Sequence, residues 1–195
     1  QSMARIRSVH PGLFTDEAAS VQAGVLQLLA RALDAQGRLA EAESHFRQAL
    51  QIEPDNTSSL TRLGRVLREL GKPDEAVAVR RRACEVAPAE PSHWQELVFL
   101  LASLEREGEA RDALRLAEAA LEPTAATLAW LGRICESALF LSEARGYFQR
   151  AVAMDPALAQ QAGMFYVRQG MIDDALTQLS SARDVQPGSV ETARA

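Results

Sequence analysis

Alanine returns along this chain every 34 residues. Ala42, Ala76, Ala110 and Ala144 form one series, and Ala49, Ala83, Ala117 and Ala151 form a second, seven residues further on. Proline closes the same frame at Pro54, Pro88 and Pro156, with Pro123 one place late. A fixed period in this range is the mark of stacked repeats. Each unit is too small to bury its own apolar face, so neighbouring units share a core. A chain of that kind presents a long surface to be touched and is only rarely a catalyst.

Four blocks fit the period without gaps: 23–56, 57–90, 91–124 and 125–158. A fifth, 156–189, fits when its junction is three residues short and Pro156 is shared. Positions 4, 7 and 11 of each block fall on one face of a first helix, and positions 20, 24 and 27 on one face of a second. Position 7 holds Leu29, Leu63, Leu97, Leu131 and Ala162, and position 11 holds Leu33, Leu67, Leu101, Cys135 and Tyr166. Small residues at positions 8 and 20 let two helix axes approach closely. The turn between the helices falls near Gly37, Gly71 and Gly170, because glycine tolerates a left-handed helix end. Proline at position 32 stops the second helix, since it lacks an N–H and clashes with the preceding turn. Sustained alternating stretches that would read as strands are nearly absent.

These columns resemble the tetratricopeptide repeat, a helix–turn–helix unit of 34 residues, over roughly residues 23–189. The resemblance implies an all-α fold, a right-handed α-solenoid of antiparallel helix pairs in about five units. The departures are Arg80 where position 24 is usually large and apolar, Val98 at the small position 8, and Glu105 and Leu139 at turns that usually carry glycine.

Composition narrows the function. The chain has 195 residues with a net charge of −5 and a pI near 5.3, which argues against the whole molecule binding nucleic acid. No apolar run approaches the roughly 18 residues that a bilayer span needs, and no signal segment opens the chain. A soluble, cytoplasmic protein is expected, unless the chain is part of a longer one. Residues 1–3 read as an expression-tag remnant and 4–22 as an N-terminal arm leading into the first helix, capped at Thr15 or Asp16. Residues 190–195 read as a tail.

The chemistry-bearing residues do not assemble into a catalytic pattern. Cys84 and Cys135 fall at positions expected to be packed, two repeats apart, and read as small core residues. His10, His45 and His93 show no metal-ligand spacing. No phosphate-cradling glycine loop, HExxH pair or GxSxG elbow occurs, and no carboxylate pair stands on an apolar background. Trp94 and Trp130 read as packing residues. Arg80, Arg81 and Arg82 read as a solvated outer face with the arginine stems lying along it, Arg80 standing out because it takes an apolar column. No catalytic residue, cofactor or metal is expected.

The family resemblance implies that positions 2, 5, 9, 12 and 13 line a concave groove. They supply Arg31, Arg65, Arg68, Arg133 and Arg168 against Asp34, Glu69 and Glu136, a net +2 on a molecule of net −5, with Phe99, Met164 and Val167 as apolar contacts. Arginine forks suit carboxylates, and a concave wall focuses their field. The expected ligand is a protein or peptide segment carrying acidic residues and an apolar anchor. The opposing reading is that these arginines are engaged by Asp34, Glu69 and Glu136. Position 5 holds Gln27 and Thr61, and position 9 holds Arg31 and Arg65, so the carboxylate clamp of chaperone-binding relatives is not matched. Two other roles stay open: a substrate-docking domain of a larger bacterial enzyme of glycosyltransferase or sulfotransferase type, and recruitment of nucleic acid by Arg5 and Arg7. The short sequence after Pro187 also leads us to expect homo-oligomers formed through an uncapped last repeat.

Overall fold

In the computed structural model the described residues are 11–185. The expected tag remnant at 1–3, arm residues 4–10 with Arg5, Arg7 and His10, Pro187 and the tail 190–195 lie outside them. Among the described residues the secondary structure is helical throughout, with no strand. The chain divides into two compact units, Gln1–Leu97 and Val98–Ala195.

The first unit holds α1 (Pro11–Ala35), α2 (Leu39–Ile52), α3 (Thr57–Glu69), α4 (Pro73–Val86) and the start of α5 (Pro91–Ser103). Within it, α1 packs on α2, α2 on α3 and α3 on α4. The second unit holds the end of α5, then α6 (Glu107–Ala120), α7 (Ala125–Ser137), α8 (Leu141–Met154), a 3-10 turn at Pro156–Leu158, α9 (Ala159–Arg168) and α10 (Ile172–Val185). Here α7 packs on α8 and α9 on α10, and the 3-10 turn bridges α8 to α9.

One backbone device closes every hairpin. The carbonyls of Leu33, Leu67, Leu101, Cys135 and Tyr166 accept the N–H groups of Arg38, Lys72, Arg106, Phe140 and Met171 at 2.9, 2.9, 3.0, 2.8 and 2.9 Å. This six-to-one bond requires one residue in the left-handed region. Gly37, Gly71 and Gly170 fill it with φ of 74°, 71° and 71°, and Glu105 and Leu139 are forced into it at 58° and 64°. The turns that lack glycine therefore keep the geometry and carry the strain. The second helices end just before the proline column: α2 stops at Ile52, α4 at Val86 and α8 at Met154.

The small columns behave as their spacing predicts. Ala42, Ala76, Ala110, Ala144 and Ala175 at position 20 are all buried, and Val98 is fully buried at position 8. Asn56 and Thr124 cap α3 and α7 by accepting from the N–H groups of Ser59 and Thr127 at 3.0 and 3.1 Å, as short polar side chains do at helix starts.

Three expectations need correction. Helix α1 begins at Pro11, so residues 11–22 are helical and Thr15 and Asp16 lie inside α1 instead of capping it; proline suits the first turn, where its missing N–H leaves nothing unsatisfied. Leu29 is 43% exposed although Leu63, Leu97, Leu131 and Ala162 in the same column are buried, because no described helix precedes α1 to cover it. Arg80 is not solvated: its side chain is 7% exposed and pairs with Glu96 of α5. Of its neighbours, Arg82 is exposed and bonds Asp55 at 2.5 Å.

Candidate functional site

The first unit brings α1 and α3 together around a pocket. Arg31, Asp34 and Ala35 share a face of α1 by three- and four-residue spacing, and Arg62 and Arg65 share a face of α3. With Leu28 and Ala32 these residues line a pocket of about 570 Å3. Arg65 is the structural member of the set. It donates to Asp34 and, at 2.5 Å, to Oε1 of Glu69, and the hydrogen bond to Asp34 pushes its pKa above the ordinary value. The Asp34 side chain is 7% exposed, and its Oδ1 has no hydrogen-bond partner. Arg31 is exposed and Arg62 is half-buried, and neither makes an ion pair among the described residues. Three guanidinium groups thus face one buried carboxylate, beside the apolar Leu28, Ala32 and Ala35. Such a wall can hold a carboxylate by paired N–H donors and cover a short apolar side chain beside it.

The groove residues expected from the sequence separate between the two units. Arg31 and Arg65 meet in the pocket. Arg68 is exposed on α3 but is not part of the pocket wall. In the second unit, Arg133 of α7 donates to Gln161 at 3.2 Å, and Arg168 of α9 forms a two-pronged bond to Glu136 at 2.7 and 2.9 Å. That bond raises the Arg168 pKa. Met164 stands 53% exposed, and Phe99 is half-buried. Engagement by neighbouring acids therefore holds for Arg65 and Arg168 and fails for Arg31. Arg62 was missed, because it sits at position 6, outside the columns assigned to the groove. Its signal was the three-residue step to Arg65.

A second pocket of about 410 Å3 lies between α6 and α8, lined by Gly108, Arg111, Leu114, Arg115, Glu143 and Tyr147, with Asp112. Its charges are mutually satisfied. Arg111 bonds Glu143 at 2.6 Å and Glu107 at 3.1 Å while lying 4.7 Å above the Phe140 ring, and Arg115 pairs with Asp112. Ser142, then Arg111, hold the Glu143 carboxyl below its ordinary range. Further ion pairs tie successive outer helices: Lys72 to Glu43 at 2.8 Å, Arg145 to Asp174 at 3.3 Å and Arg150 to Glu118 at 2.6 Å.

Cys84 and Cys135 are buried and free. Among the described residues no group of three or more His, Cys, Asp or Glu could hold a metal ion, and no helix is long and apolar enough to cross a membrane. Trp94 is a packing residue whose Nε1 donates to the Pro88 carbonyl at 2.8 Å.

Helical hairpins closed by one recurrent turn, with alanine where the helices meet, define a helical-repeat protein. The tetratricopeptide repeat profile matches residues 33–98. The chain is similar to the solved structure of MamA, with 18% identity over 89% of this chain and 97% of that one and a TM-score of 0.56. It is also similar to MamA from Desulfovibrio magneticus RS-1, with 20% identity, 87% and 97% coverage and a TM-score of 0.52, and to PilF of Pseudomonas aeruginosa, with 16% identity, 86% and 78% coverage and a TM-score of 0.52. At these identities the likeness speaks of fold. No curated protein matches the sequence. Residues 33–98 carry the tetratricopeptide repeat signature, and the described chain has the fold of tetratricopeptide repeat proteins.

Proposed function

We propose that this chain is a non-catalytic protein-interaction module that captures a peptide segment through an Asp or Glu side chain seated in the α1–α3 pocket. The observation that carries this reading is the pair Arg31 and Arg62. Both line a pocket with an apolar wall and make no ion pair among the described residues, while Arg65 beside them is fixed by Asp34 and Glu69. An acidic side chain would complete the charge balance, and Leu28 and Ala32 would cover an apolar neighbour of that acid.

The test uses fluorescent peptides carrying Asp or Glu between leucines, alongside matched peptides carrying Asn or Gln. Acidic peptides are expected to bind, to weaken as salt screens the exposed arginines, and to lose affinity at least about tenfold with Arg62→Glu. Equal binding of the amide peptides, or full affinity in Arg62→Glu, overturns the pocket as the site.

A further inference from the structure

Helix α1 carries an apolar seam that faces solvent. Ala18, Val21, Val25, Leu28, Ala32 and Ala35 follow one another at alternating steps of three and four residues, the spacing of a two-helix coiled coil. Val21, Val25 and Leu28 are 68%, 58% and 63% exposed, and the alanines of the seam are exposed too. Elsewhere in the repeat frame this face is covered. Val66, Leu100, Ile134 and Phe165 occupy the column of Ala32, and all are buried. An exposed stripe of this length marks an interaction surface.

Two features of α1 are self-complementary. Glu17 and Arg31 flank the seam on the same side, both exposed and neither in an ion pair among the described residues. They stand at equal distances in sequence from Gly24, which lies near the middle of a helix of 25 residues. Glycine there weakens the helix, and a Cβ at Gly24 would meet nothing within 4 Å, so no packing inside the chain requires it. Setting a second α1 antiparallel across the first accounts for both features. Gly24 falls against Gly24 at the two-fold axis, where the missing side chains let the helices approach. Val25 then meets Val21 of the second copy, Leu28 meets Ala18, and Glu17 meets Arg31 in two symmetry-related pairs. A parallel pairing leaves Glu17 and Arg31 two heptads apart.

We infer that α1 is a self-association surface whose occupant is α1 of a second copy of this chain, in an antiparallel, two-fold arrangement. Leu28, Arg31 and Ala32 also line the basic pocket, so the pairing sets Glu17 of the second copy at the pocket and excludes an acidic peptide from it. This places self-association on α1; the expected contact through the last repeat rests on the sequence after Pro187, outside the described residues. The exposed Ile172, Leu176 and Leu179 of α10 form a second, shorter apolar stripe among the described residues.

Sedimentation velocity on the full chain, diluted from millimolar to nanomolar, tests the pairing. Wild type is expected to dimerise. Val25→Glu, at an exposed position, is expected to be monomeric with an unchanged circular dichroism spectrum. Glu17→Arg and Arg31→Glu should each weaken the dimer about tenfold or more, and mixing these two variants should restore it, because each supplies the charge the other lacks. A monomeric wild type overturns the inference, as does a dimer that survives Val25→Glu, which would move the contact to another face such as α10. Failure of the mixture to restore the dimer rejects the antiparallel arrangement. Arg62 lies off the seam, so Arg62→Glu separates the two sites: it weakens peptide capture at least about tenfold and leaves the dimer intact.

Discussion

Arg80 lies along the backbone of Gly64: a Cβ at Gly64 would stand 3.0 Å from Cγ of Arg80. The absent side chain opens a channel through which the arginine stem passes to reach Glu96. An arginine thus fills a column built for Phe46, Leu114 and Phe148, with methylenes doing the packing and the guanidinium reaching the half-exposed Glu96. Arg80→Ala should destabilise the chain by about 2–3 kcal/mol, through lost packing and a broken pair. Arg80→Met, which refills the column, should stay within about 1 kcal/mol of wild type. Urea denaturation of the two variants checks this, and equal losses would place the stabilisation in the ion pair instead of the stem.

Leu139 has a φ of 64° and is 79% exposed. Its side chain contributes almost no burial, while its backbone holds the left-handed turn that Gly37, Gly71 and Gly170 adopt freely. Leu139→Gly should raise stability by about 0.5–1 kcal/mol, the relief of strain exceeding the added freedom of the unfolded chain. Gly71→Ala should lower it by about 1 kcal/mol. A fall in urea midpoint for Leu139→Gly would contradict the strain assigned to that turn.

Gly132 and Gly163 occupy the same column and should tolerate alanine differently. A Cβ at Gly132 would meet the Phe148 ring at 3.1–3.2 Å, and that ring is 1% exposed and packs, tilted by 31°, against Phe165 at a centroid distance of 5.0 Å. With nowhere for the ring to go, Gly132→Ala should cost about 1–3 kcal/mol. At Gly163 the obstacle is Leu179, at 2.7 Å. Leu179 is 36% exposed and can swing outward, so much of the strain is offset by the better helix propensity of alanine. Thermal melts should rank Gly163→Ala above Gly132→Ala; the reverse order would refute the difference in how far the two neighbours can yield.

Burial pushes the thiols of both Cys84 and Cys135 up to about 12, from an ordinary value of 9.0. The thiolate is the reactive form, so at about pH 8 only roughly one thiol in ten thousand is ionised in the folded chain. Neither cysteine should react with a thiol-specific dye until urea unfolds the protein. Prompt labelling of the native chain would mean that one of the helices opens locally.

The repeat period by itself determined the helical class, the hairpin frame, the buried alanine columns and the positions of the turns, because each depends on residues close in sequence and recurs in every unit. The family resemblance added the expectation that Arg31 and Arg65 share one surface, and both line the α1–α3 pocket proposed as the site. The tertiary structure decided what depends on distance between elements. Arg65 is fixed by Asp34 while Arg31 makes no ion pair, Arg62 joins them from a column the frame did not mark, and Arg80 is buried because Gly64 leaves it room. Periodicity also treats every repeat alike, so it could not report that the face covered at Val66 and Leu100 lies open at Ala32. Burial depends on what packs against a helix, and that is settled only in the folded chain.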